Sequence, residues 1–115
     1  MRATASILTL QDARATGPSL ESILEAVEKV LRIGRKDMLS LHRAPHLSEA
    51  RQIFYWFARV YTARSYPEIA RFIKRDHCTV MYGVRKIEAR KGEFWPEIKA
   101  IANVLRVDLY EREAA

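Results

Sequence analysis

Four consecutive residues, Asp76-His77-Cys78-Thr79, set a carboxylate, an imidazole, a thiol and a hydroxyl side by side, directly after the basic pair Lys74-Arg75. Two chemistries suit such a run. The first is catalysis, with Cys78 as nucleophile, His77 as base and Asp76 as orienting carboxylate. Helical neighbours point about 100° apart, and side chains face each other only at i,i+3 or i,i+4, so consecutive residues cannot form that relay. The second is recognition of base edges at the tip of a helix. Asp76 can accept from a cytosine or adenine amino group, and His77 can donate to a purine N7 or pack on a thymine methyl. Thr79 can bond a base edge or a phosphate, while Cys78 offers a small, weakly polar contact.

The flanking sequence supplies the helices that such a tip requires. Ser65-Tyr66-Pro67-Glu68 has a Ser cap with Glu three residues on and Pro in the first turn, where its missing N–H costs nothing. Ile69, Phe72 and Ile73 give that helix an apolar face, and Ala70 leaves room for a close neighbour. Lys74-Arg75 interrupts the pattern. Asp76 can then cap a second helix whose Val80, Val84 and Ile87 recur at i, i+4 and i+7. Two helices joined so closely predict a helix-turn-helix, in which the start of the second helix enters the major groove.

The run Arg75-Asp76-His77-Cys78-Thr79-Val80, preceded by Ser65-x-Pro67-Glu68-Ile69, resembles the signature of the C-terminal DNA-binding domain of the bacterial replication initiator DnaA. There the motif reads SLPEIG and then GGRDHTTVLHA. Similarity extends to Lys36-Asp37-x-Leu39-Ser40, Arg51-Gln52-Ile53 and Arg85-Lys86-Ile87-Glu88, so it covers roughly residues 20–91. The resemblance implies an all-α fold: a small helical bundle of the Trp-repressor-like type containing a helix-turn-helix. It gives Asp76, His77, Cys78 and Thr79 a DNA-facing role. It also implies that Arg43, eight residues before the Arg-Gln pair, lies in the minor groove, and that Arg51 and Gln52 contact DNA; Lys74 and Arg75 are expected from their charge, beside the turn, to hold the DNA backbone, or else are ordinary surface charges. Two departures stand out. Cys78 replaces the usual Thr, and Ile73-Lys74 replaces the Gly-Gly of the turn, removing its freedom for positive φ. The loop around Arg43 is also less basic than in the family, with Leu41, His42 and Pro45. Arg71, Arg85 and Lys86 are further candidates for phosphate contacts, or else ordinary surface charges.

Charge supports this placement. The chain has 115 residues and a formal charge of +6, and residues 35–91 hold 13 Lys/Arg against 5 Asp/Glu. The first 34 residues balance, and the last 24 are net acidic. The basic excess thus sits on the segment with the helix-turn-helix, as expected of a nucleic-acid binder. One cysteine allows no intrachain disulfide or cysteine-cluster zinc site. His42 and His46 are spaced i,i+4, but Pro45 lies between them and other ligands are lacking. No Walker-type G-x-x-x-x-G-K-[ST] loop occurs. These features predict a protein that is not an enzyme and has no metal or cofactor. No apolar run reaches the ~18 residues of a membrane span, so a cytoplasmic, nucleoid-associated protein is expected.

Along the chain, residues 1–18 are expected to form a flexible arm or the stub of a linker, and residues 19–112 the DNA-binding domain. Ser19 or Ser22 can cap a first helix carrying Ile23, Val27, Val30 and Leu31, with Gly34 as its end. A short turn over Lys36–Ser40 packs Met38 and Leu39 inward. Ser48 is expected to cap a helix over Glu49–Thr62, with Ile53, Trp56, Phe57 and Val60 inward and Arg51 and Gln52 in its first turn, near phosphate. Phe94-Trp95-Pro96 is expected to break the recognition helix. A last helix, Glu97–Arg112, would fold back through Ile98, Ile101, Val104, Leu105 and Leu109.

A full initiator carries an ATP-binding motor ahead of this domain, and 115 residues leave no room for one. Beginning at Met1, the chain is expected to be a stand-alone DnaA-like protein. It would bind DnaA-box-like double-stranded DNA as a monomer and modulate or compete with the initiator, or regulate transcription. A reading from another class is a helical adaptor that docks on the initiator or other replication proteins through Phe54, Tyr55 and the last helix.

Overall fold

The computed structural model describes residues 17–109. Residues 1–16 of the expected arm and 110–112 of the expected last helix lie outside them. Among the described residues there are six helices: α1 (Leu20–Leu31), α2 (Arg35–Leu39), α3 (Pro45–Tyr61), α4 (Tyr66–Ile73), α5 (His77–Ala89) and α6 (Trp95–Leu105). The all-α expectation holds. None of these helices is long and apolar enough to cross a membrane.

The bundle is organised on α3, which packs against α1, α2, α4 and α5, while α6 folds back on α1. The reason is visible in α3 itself. Ile53, Phe54, Tyr55, Trp56, Phe57 and Ala58 are all buried in succession, so every side of this stretch meets a neighbour, as in the central helix of a core. Phe54 stacks on Phe72 of α4 at 5.9 Å between ring centroids, and Trp56 meets Phe57 edge-on at 4.9 Å. Burial of Phe54 and Tyr55 corrects the adaptor expectation, since neither ring is offered to a partner. Val60 and Val104 are corrected the other way: both are exposed.

Helix starts follow the Ser caps where a reciprocal partner exists. Ser19 caps α1 with Ser22 completing the box, and Ser65 caps α4 with Glu68. Ser65 N–H donates to Glu68 Oε1 at 2.8 Å, and Glu68 N–H returns to Ser65 Oγ at 3.2 Å. The bond from Ser65 N–H to the carboxylate is the main cause that holds the Glu68 carboxyl below its ordinary pKa. Its contribution to stability is therefore present above the unfolded-state pKa and is lost as pH falls through the lower folded value.

Several boundaries differ from expectation. The last helix, expected to run to Arg112, stops at Leu105, where Arg106 takes the left-handed conformation and closes it. The helix α3 begins at Pro45, not after Ser48, with Ala44 as an uncapped N-cap; proline at the first position fixes φ in the helical range and gives up only an N–H that had no helical partner. The recognition helix ends at Ala89, before Phe94, and α6 begins at Trp95. Gly34 does not end α1. Arg32 takes the left-handed conformation instead, and Gly34 has φ −79° ahead of α2.

Left-handed Arg32 is one of three. Arg32, Lys74 and Arg106 have φ of 58°, 61° and 59°, and each ends a helix through bonds back to its last turn. A basic side chain complements the helix C-terminus there. At α4 the geometry is a Schellman motif: Lys74 N–H reaches Arg71 O at 3.4 Å, and Arg75 N–H reaches Ala70 O at 2.9 Å. The turn of the helix-turn-helix thus keeps a positive φ without glycine.

Candidate nucleic-acid interface

The second helix of the motif, α5, starts at His77 with Asp76 in the N-cap position, as its sequence predicts. Asp76 makes no side-chain cap bond. Its carboxylate is exposed and lies 3.8 Å from His77 Nδ1, which is also exposed. Cys78 and Thr79 are exposed beside them, with Cys78 Sγ 3.9 Å from His77 Nε2. The helix tip is therefore a row of solvated donors and acceptors over a buried base of Val80, Val84 and Ile87. That division, apolar inward and short polar chains outward, is what lets a helix dock on its own bundle and still present base-reading groups.

Two contacts fix where that tip sits. Gly83 faces α3 so closely that a Cβ there would lie 2.5 Å from Tyr55 Cδ2 and 3.1 Å from Gln52 Cγ. Farther along, Trp56 Nε1 donates to Glu88 Oε2 at 2.7 Å, and Lys91 bridges to Glu88 at 3.4 Å while lying over the Trp56 ring. One end of α5 is anchored by a polar cluster and its middle by the absence of a side chain.

Beside the tip, the Ser40–Ala44 loop, α3 and the start of α5 enclose a cleft of about 420 Å³. Arg43, Arg51, Gln52, Arg75 and Thr79 all line it. Five of the nine residues singled out in the sequence thus converge on one depression; Asp76, His77 and Cys78 do not line it and are exposed at the start of α5. Lys74 is exposed at the end of α4. Gln52 Oε1 is buried there with no hydrogen-bond partner among the described residues, a costly state for a polar atom.

Arg51 departs from its expected setting. Because α3 starts at Pro45, Arg51 falls in the second turn, and it is 6% exposed. Its guanidinium points into the bundle: Nε donates to Met38 O at 2.9 Å, Nη1 to His42 O at 2.8 Å, and Nη2 to Asp37 O and Ser40 O at 2.8 and 2.9 Å. Burial lowers its pKa, and the Arg75 charge adds to the shift. Arg75 is half-buried and donates to the same Ser40 carbonyl.

Sequence reasoning missed three residues of this region. Leu41, 82% exposed, and Tyr82, 62% exposed, both line the cleft. A Tyr three residues after Thr79 falls on the same helical face, a signal available in the spacing alone. Gly83 gave no signal, because a close helix crossing cannot be read from one strand of sequence.

With this geometry in place, the relatives become informative. Residues 20–87 match the family model described as the bacterial dnaA protein helix-turn-helix. The chain is similar to the chromosomal replication initiator protein DnaA of a Bradyrhizobium species, with 41% identity over 75 residues covering 64% of this chain and 16% of that protein. It is similar to the protein of the same name from Nitrobacter hamburgensis, at 42% over 71 residues, or 61% of this chain and 15% of that protein. The counterpart from Sphingopyxis alaskensis aligns over 101 residues at 38% identity, covering 83% of this chain and 22% of the relative. The chain thus matches about a sixth to a fifth of the length of these curated relatives.

Proposed function

The chain belongs to the family of the bacterial DnaA helix-turn-helix, and from that premise we propose that it binds double-stranded DNA at DnaA-box-like sites, linked to replication initiation. The observation that carries this reading is the cleft that gathers Arg43, Gln52, Arg75 and Thr79 next to the exposed tip of α5. In this reading Asp76, His77, Cys78 and Thr79 face base edges in the major groove. Arg43, on the neighbouring loop, faces the minor groove, and Lys74 with the amide of Gln52 meets the backbone. The interaction is binding without catalysis, by a single copy, at the nucleoid in the cytoplasm. Its consequence is occupancy of initiator sites, which modulates or competes with the initiator or regulates transcription nearby. Cys78 keeps the size of the family's Thr but donates weakly, so discrimination at the base pair beneath it is relaxed.

The test is a fluorescence-anisotropy titration of a duplex with one DnaA box beside a scrambled duplex, across a salt series. The expected result is at least about a hundredfold preference for the box, within the usual range for specific sites. With about five phosphate contacts, log K should fall against log salt with a slope near −4 to −5. Equal binding to both duplexes would defeat the sequence-specific reading, and a duplex competed by full-length initiator separates competition from mere co-occupancy.

Lys74 yields a prediction with two opposite signs. Lys74→Gly relieves a left-handed non-glycine residue and should stabilise the fold by about 1 kcal/mol, read as a higher melting temperature. The same change deletes a phosphate-facing charge. It should weaken all duplexes alike and reduce the salt slope by about 0.9. A melting rise without any change in slope would remove Lys74 from the interface.

A further inference from the structure

The five-residue α2 cannot satisfy its last carbonyls internally, and the loop after it has no helix of its own to hold it. Arg51 supplies the missing donors. From the second turn of α3 its planar fork reaches four carbonyls, those of Asp37, Met38, Ser40 and His42. The last two bracket the stretch that leads into Arg43. Ser40 Oγ ties the same segment internally, donating to Asp37 O at 2.9 Å and accepting from His42 N–H at 3.2 Å. From the other side Arg75, in the turn between α4 and α5, donates to the Ser40 carbonyl. One carbonyl is therefore shared by a residue of the central helix and a residue of the helix-turn-helix turn.

We propose that Arg51 and Arg75 act as positioning residues, fixing the Ser40–Ala44 loop to the helix-turn-helix so that Arg43 and the tip of α5 address adjacent grooves in register. This rests on the two-groove reading above and changes the part played by Arg51. It acts on DNA through Arg43, from a buried position with its donors engaged by protein carbonyls, where the family resemblance alone implies a direct contact to DNA. The reach to four carbonyls in different directions needs a guanidinium; an ammonium of equal charge has neither the fork nor the span.

The test is a double-mutant cycle on box and scrambled duplexes, using Arg51→Lys and Arg43→Ala. Arg51→Lys keeps the charge. It should lower box preference by about tenfold, comparable to the loss of one base contact, while binding to the scrambled duplex and its salt slope stay unchanged. In the double variant the Arg51→Lys change should add no further loss, because the residue it acts through is already gone. Additive losses would mean that Arg51 touches DNA independently and would overturn the proposal, as would full preference in Arg51→Lys. If Arg51→Lys does not melt cooperatively, Arg75→Lys carries the cycle instead, read only as the coupling of box preference to Arg43→Ala, because Arg75 itself lines the cleft. A wild-type chain without box preference would instead defeat the underlying DNA-site reading, before either variant is made.

Discussion

Replacing Gly83 by Ala should lower the melting temperature and weaken DNA binding together, although position 83 faces away from the proposed DNA surface. The added methyl would lie 2.5 Å from Tyr55 Cδ2. That ring is 2% exposed and cannot swing aside, so α5 must move off α3 or the ring must leave its rotamer. Overpacking of this kind costs about 1–3 kcal/mol. In a domain of this size each kcal/mol moves the midpoint by about 4–8 °C. Because α5 carries the proposed base-reading residues and α3 carries Gln52, displacement of one against the other also spoils the cleft. Tyr55→Phe should not rescue the variant, since the phenyl ring keeps the clashing carbon, whereas Tyr55→Leu should recover part of the loss. An unchanged melting curve would show that the two helices do not cross as closely as described.

His77→Ala should do the opposite: leave the fold intact and remove specificity. His77 is exposed at the first position of α5, with its nearest polar neighbours, Asp76 and Cys78, on the same solvated tip. Nothing in the core depends on it. The expected cost is about 1–3 kcal/mol in box binding, roughly 5- to 150-fold, with little effect on a scrambled duplex. Thermal melting should be unaltered. If preference between the duplexes survives, α5 is not the reading element, and the tip of another helix must be sought. The two variants therefore separate what holds the recognition helix from what it presents.

Much of the interface was legible because helix signals and base-reading chemistry are both local. Ser65 with Glu68 and Pro67 marks α4, and Asp76 followed by spaced Val80, Val84 and Ile87 marks α5; the structure agrees on both. Boundaries set by competition were harder to read. Ser48 looks like a cap, but Pro45 starts α3 first, and the shift of four residues turns Arg51 from a first-turn position into a buried one. Gly34 looks like a helix stop, yet Arg32 bears the left-handed conformation, held by backbone bonds that no residue type announces. Phe54 and Tyr55 exceed what one core face needs, so the sequence left both core packing and a partner surface open. Both are needed because α3 is surrounded, which depends on how four other helices approach it.

The all-helical class, the helix-turn-helix, the polar tip Asp76–Thr79 and the family follow from local signals, because capping boxes, apolar periodicity and motif spacing act over a few residues. What Arg51, Arg75 and Gly83 touch follows from packing alone. Each acts across long separations in the chain: Arg51 on carbonyls 9 to 14 residues away, Arg75 on one 35 away, and Gly83 on Tyr55. A guanidinium can serve a phosphate or a carbonyl with the same donors. Which of them it meets is settled by the packing that buries it.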